Sequence, residues 1–248
     1  MLSRLAGYLE RSWEFPELIG EVKDSREWSG IPTSSIYLSV FGMFALRLRS
    51  FNALEEELRL PLRWERWVGF KKPSADTLGY ALARMDLESV RRVLVRLNHE
   101  MKRKKILKTK TPPYLVAAVD GNELFRSRKR CCPLCLERVL ETDQGPVTEY
   151  YHRIVVLQIV NASPPLVLDL EPILPGEDEV AAAERMLSRA KKLYPRFFDI
   201  LTLDALYLRS GHVQKILNWN WDAVIVLKQE RRELYQDCLL YTSPSPRD

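Results

Sequence analysis

The chain has 248 residues, 46% of them hydrophobic and 29% charged, which excludes a disordered or fibrous protein and suffices for one large domain, or a catalytic domain with a smaller one beside it. Its 38 basic residues against 33 acidic ones give a net charge of +5, a lean toward a polyanionic partner that charge alone does not establish. The longest apolar run, Ile36 to Leu46, stops at Arg47, far short of the ~20 residues of a membrane span, and Arg4, Glu10 and Arg11 interrupt the start of the chain, so neither a span nor a secretory leader is expected and a cytoplasmic site follows.

In chain order, residues 1–110 read as a helical region, with Ile36 to Leu46 as a buried helix. Trp64 and Trp67, three residues apart, read as core anchors in preference to base-stacking groups. Pro73 and Ser74 open a helix in which Ser74 is the N-cap and Asp76 meets the positive end of the dipole. A second helix follows Asp86, with Leu87, Val90, Leu94, Leu97 and Met101 recurring as one apolar stripe. It ends in a basic run, where Lys102, Arg103, Lys104 and Lys105 are candidates for contacts to DNA phosphates; a solvated helix end with cations at the negative pole explains the same run. Pro112-Pro113 then marks a break, because proline lacks an N–H and drives the preceding residue out of helix.

The period changes after the break. Residues 114–120 and 152–160 are short β-branched runs and 165–174 alternates, which predicts three strands in a meander. A helix with acids at its start and bases at its end follows, with Val180, Ala183, Met186, Leu187, Ala190 and Leu193 as its apolar set. A fourth strand in DILTLDALYL, a short helix in SGHVQKILNW and a fifth strand at 222–228 complete the order β-β-β-α-β-α-β. That order is α/β of the ribonuclease-H-like kind, a mixed sheet in which the first and fourth strands lie side by side and parallel. Asp120 is expected at the end of the first strand and Asp204 at the end of the fourth, where the two carboxylates could share metal ions. Taken singly, Asp120-Gly121 is also a common tight-turn dipeptide and Asp204 a plausible turn cap. Asp169, Glu171, Glu177, Asp178 and Glu179 are left out of the site, the last three as helix N-terminal charges.

The stretches PSADTLGYALARMD, VAAVDGNELFRSRKR, EYYHRIVVLQIV and LTLDALYL followed by AVIVLK resemble bacterial insertion-sequence transposases of the DDE type, in the H-repeat-associated, insertion-sequence-4-like branch, over roughly residues 50 to 237. The resemblance implies a metal-dependent enzyme that cleaves DNA strands at element ends and joins the freed 3′-hydroxyl to target DNA. It implies two Mg2+ ions, or Mn2+, with Asp120 bridging both and Asp204 holding one. It further implies double-stranded DNA as partner, a homodimer on that DNA, a nucleoid-associated location and a third acid, a Glu on a later helix, that no residue here can be assigned to. On this reading residues 1–110 help recognise element ends and residues 111–237 are an incomplete catalytic domain.

Residues 238–248 lose apolar periodicity, carry two Ser-Pro steps and admit a codon choice that looks like sequencing-adapter DNA, so they are expected to be a non-native tail on a truncated, inactive fragment. With Cys238 set aside, Cys132 and Cys135 form one knuckle's worth of zinc ligands, and a closed Zn2+ site would need Cys131 or His152 as well. One Cys-x-x-Cys without a second pair is a weak signal, and a hairpin insertion with reduced thiols is preferred. His99 and His212 are expected to be surface or structural residues. The alternative function is a non-catalytic, basic DNA-binding protein with a zinc-stabilised sheet domain; it would leave Asp120 and Asp204 far apart.

Overall fold

The computed structural model describes residues 2–27, 30–60, 64–110, 113–228 and 233–242. It divides into two units, Met1–Leu97 and Asn98–Asp248. Pro112, half of the expected break, lies outside the described residues, and the division falls earlier, inside a helix.

The first unit is helical: α1 (Leu2–Trp13), α2 (Phe15–Gly20), α3 (Thr33–Ala45), α4 (Phe51–Leu58), α5 (Glu65–Val68), α6 (Ala75–Leu82) and most of α7 (Leu87–Arg103). Ser50 and Ser74 cap α4 and α6 by accepting from Ala53 N and Thr77 N, which satisfies donors that a helix start leaves open. The buried α3 keeps its two buried serines satisfied, Ser35 Oγ donating to Val68 O and Ser39 Oγ to Ser35 O, both at 2.6 Å. Trp64 is fully buried and Trp67 nearly so, with Trp67 Nε1 donating to Leu38 O at 3.0 Å, so both tryptophans are core anchors. The expected stripe on α7 holds in part: Val90 and Leu97 pack, partly buried, against the helical core, whereas Leu87 is exposed and the fully buried positions are Ser89, Val93 and Asn98. A bridge between Asp24 and Met85, with Lys23 N donating to Ser89 Oγ, holds the start of α7.

The second unit is built on a six-stranded mixed sheet. A two-residue ribbon pairs β1 (Lys108–Thr109) with β5 (Ala162–Ser163). The main sheet holds β2 (Val116–Ser127), β3 (Leu136–Thr142), β4 (Gly145–Ile159), β6 (Leu166–Pro172), β7 (Ile200–Leu203) and β8 (Asp222–Ile225). β2, β4 and β6 form the antiparallel meander, β2 pairs with β7 in parallel, and β7 pairs with β8 in parallel. Counting β2, β4, β6, β7 and β8 as first to fifth, the spatial order is third, second, first, fourth, fifth, the ribonuclease-H-like arrangement. Two things differ from expectation. β3 is an additional strand hairpinned to β4, and β2 runs through Asp120 to Ser127 because the long β4 continues to pair with it.

Helix α8 (Glu179–Leu193) packs Val180, Ala183, Met186, Leu187 and Ala190 into the core, and Asp178 caps it through Ala181 N at 2.8 Å. It is tied to β6 by Arg189, which pairs with Asp169 at 2.8 Å and Glu171 at 2.6 Å, and by Arg185, which pairs with Glu171 at 2.7 Å and also with Glu177. These three acids therefore join α8 to β6 and to the turn before it. The 3-10 turn η1 (Ala205–Tyr207) and α9 (Ser210–Asn218) lead to β8, and α10 (Glu233–Thr242) crosses the expected boundary at Cys238, while residues 243–248 lie outside the described residues.

Gly42 tests the helical core: a Cβ there would lie 2.5 Å from the Trp64 ring. Gly42→Ala is expected to destabilise the chain by about 1 to 3 kcal/mol, read as a lower urea midpoint, and an unchanged midpoint would show that the ring is free to move.

Candidate functional site

The parallel ladder of β2 and β7 sets the geometry. Its pairs are Val116 with Ile200, Ala117 with Leu201 and Ala118 with Thr202, and each has the same separation as Asp120 and Asp204 (200 − 116 = 204 − 120). Asp204 continues the extended backbone one residue past β7, at φ −82° and ψ 177°, before η1 begins. Alternation along a strand puts Asp120 on the face of Val116 and Ala118, and Asp204 on the face of Ile200 and Thr202. The last pair of the ladder is Ala118 with Thr202; continued in the same register it would bring Asp120 level with Asp204, on strands about 4.8 Å apart.

Asp120 Oδ1 accepts from Gly121 N at 2.9 Å and Asp204 Oδ1 from Leu206 N at 2.8 Å, and among the described residues neither carboxylate has a basic partner. The acids around them do: Asp178 pairs with Arg209, and Glu179 with Arg153. Both aspartates are exposed. The tight-turn reading of Asp120-Gly121 does not hold, since Gly121 is a strand residue opposite Val155. The cap reading of Asp204 does hold for one of its oxygens.

Glu179 is the residue that sequence reasoning missed. Gly121 shares the buried face of Ala117 and Val119, and a Cβ on it would sit 2.3 Å from Glu179 Oε2. That carboxylate accepts from Arg153 at 2.7 Å and from the Tyr207 hydroxyl at 2.8 Å. Burial, first, and then the hydrogen bond and charge of Glu179 with the nearby charges of Asp204 and Asp120 push the Tyr207 phenol far above its ordinary range. The available signal was the glycine itself, because a glycine inside a strand marks a close approach by something else.

The remaining candidates separate. Lys102 Nζ donates to the carbonyls of Arg196 and Phe197 at 2.8 and 2.7 Å, and burial lowers its pKa. Arg103 pairs with Glu100, and Lys104 and Lys105 are exposed. His99 contacts Leu193 O and stacks on Tyr194, and His212 is buried against Glu184, so both have structural roles. Of the four cysteine-cluster residues, Cys132, Cys135 and His152 converge, with ligand atoms within 4.8 Å of one another. Cys131 is exposed, with its Sγ 3.4 Å from Lys129 O, outside that cluster.

No protein-family model matches the sequence, and no curated protein matches it. Among solved structures the chain is similar to piggyBac transposase, determined by cryo-electron microscopy in a synaptic complex with hairpin DNA, at 14% identity and a TM-score of 0.43. The match covers 98% of this chain and 54% of that one, so the chain spans about half the length of the transposase. The ribonuclease-H-like order of the sheet is established by its own strand pairing and does not depend on this likeness. No helix among the described residues is long and apolar enough to cross a membrane.

Gly121→Ala is expected to push Glu179 off Arg153 and Tyr207 at a cost of about 1 to 3 kcal/mol. With Glu179→Ala already in place the same substitution should cost much less. A double-mutant cycle by urea denaturation reads the difference, and equal costs in both backgrounds would rule out the close approach.

Proposed function

We propose that the sheet unit is the catalytic domain of a DDE-type DNA transposase of a bacterial insertion sequence, and that it cleaves and joins DNA strands at element ends. The observation that carries this reading is the pair of register-matched, un-neutralised aspartates, Asp120 and Asp204. Two adjacent carboxylates repel each other, and a divalent cation relieves that repulsion where no arginine does. The donor set fits: oxygen ligands suit Mg2+ or Mn2+, and each aspartate keeps one oxygen clear of its backbone hydrogen bond. Ions held there supply an activated oxygen nucleophile and neutralise the leaving group of a phosphodiester.

The chain's own residues do the positioning. Gly121 N and Leu206 N orient the two carboxylates, and the register of the β2–β7 ladder, continued two residues, supports their lying side by side. Arg126, Arg128, Lys129 and Arg130 are exposed beyond Asp120 and at the end of its strand, where a DNA backbone would meet positive charge. Residues 1–110 would help recognise element ends, with Arg103, Lys104 and Lys105, at the end of α7, as phosphate contacts; Lys102 is occupied with carbonyls and contributes less. Double-stranded DNA bound by a homodimer, at the nucleoid, belongs to the same reading. Glu179 is not its third acid, because Arg153 and Tyr207 hold it on the buried face of β2; that acid would come from a helix beyond β8. The adjacency of Asp120 and Asp204 favours this reading over a non-catalytic DNA-binding protein.

Mn2+ binding to the full chain, followed by electron paramagnetic resonance, tests the proposal without requiring turnover. Asp120→Asn and Asp204→Asn are each expected to weaken binding at least about tenfold. Equal binding by the original chain and both variants, or none by any, would sink the metal assignment.

A further inference from the structure

β2 and β3 lie on opposite sides of β4 and run in the same direction, since both pair with β4 antiparallel. Joining two such strands normally takes a crossover of about a dozen residues or more, usually a helix. Here only residues 128–135 make the crossing, from Ser127, opposite Tyr150, to Leu136, opposite Tyr151. The outer part of this three-stranded arm has little to hold it: most of residues 122–127 and 136–149 are exposed or half-exposed, so no hydrophobic layer covers it. The crossing nonetheless returns onto β4 at one place, where Cys132 and Cys135 meet His152.

The distances there are those of a metal site. Cys132 Sγ and Cys135 Sγ are 3.9 Å apart, and His152 Nε2 is 3.3 Å from the first and 3.4 Å from the second. Zinc–sulfur bonds of about 2.3 Å and a zinc–nitrogen bond of about 2.0 Å at tetrahedral angles put the sulfurs about 3.8 Å apart and each sulfur about 3.5 Å from the nitrogen. The turn is shaped as a knuckle, with Cys135 N donating to Cys132 O at 3.2 Å and Cys132 N approaching Cys135 Sγ at 3.4 Å. The His152 ring is held flat against Phe125, centroids 5.0 Å apart, which fixes its orientation toward the sulfurs. Two thiolates and an imidazole are a soft, nitrogen-containing set, suited to Zn2+ and unsuited to Mg2+.

We propose that Cys132, Cys135 and His152 bind one Zn2+ ion, which pins the β2–β3 crossover to β4 and replaces the missing core of the arm. Cys131 is not a ligand, and water completes the coordination. The site is independent of Asp120 and Asp204, and either assignment can fail without the other.

Purified full chain, stripped of metal and kept reduced, should take up one equivalent of Co2+ with a thiolate-to-cobalt charge-transfer band and the visible absorption of tetrahedral cobalt, both lost when Zn2+ is added. Cys131→Ser should bind as the original does, whereas Cys132→Ser and His152→Ala should fall below about a tenth of an equivalent under the same conditions. Absence of the cobalt bands in the original chain overturns the site whether or not the variants fold. Full uptake by Cys132→Ser or His152→Ala overturns the ligand assignment, and loss of uptake in Cys131→Ser overturns the three-ligand form.

Discussion

The catalytic reading of the sheet unit depends on the register between β2 and β7. That register is locked at one end by Leu115 and Asp199: Leu115 N donates to Asp199 Oδ2 at 2.8 Å, and Leu115 O accepts from Asp199 N at 2.9 Å and Ile200 N at 3.2 Å. Asn161 locks the adjoining edge by accepting from Val116 N and donating to Tyr114 O. A slip of one residue would send Asp120 and Asp204 to opposite faces of the sheet, because side chains alternate along a strand. The hydrogen bonds at the start of the ladder therefore decide whether the carboxylates at its far end can act together.

The two faces of β2 divide the work. On the buried face Gly121 admits Glu179, whose charge is spread over Arg153 and the Tyr207 hydroxyl, so that a carboxylate can lie under the strand. On the other face Asp120 and Asp204 stay exposed and lack a basic partner among the described residues. Arginines meet the acids that build the unit, Asp169, Glu171, Glu177 and Glu179, and not the pair that the ladder presents outward.

The arm formed by β2, β3 and β4 was poorly legible beforehand for a related reason. The β-branched runs at 114–120 and 152–160 marked the inner, core-facing parts of two strands, but 121–127 and 136–151 have no buried face to impose a pattern. Their pairing follows from β4 continuing outward, a property of the sheet and not of any local run. On α7 the helical period was read from the sequence and holds for Val90 and Leu97, which pack on the core, while Leu87 at its start faces solvent.

By itself the sequence determined the order of the five principal strands and the two helices between them, the cap at Ser74, the core tryptophans and the equal spacing of Asp120 and Asp204 with their strands, because these depend on periodicity and on contacts a few residues long. Only the tertiary structure decided which acids are neutralised, that Glu179 lies beneath Gly121, and that His152 and not Cys131 joins Cys132 and Cys135. Those outcomes depend on side chains brought together from distant parts of the chain, and charge and ligand geometry act through space with no trace in local pattern.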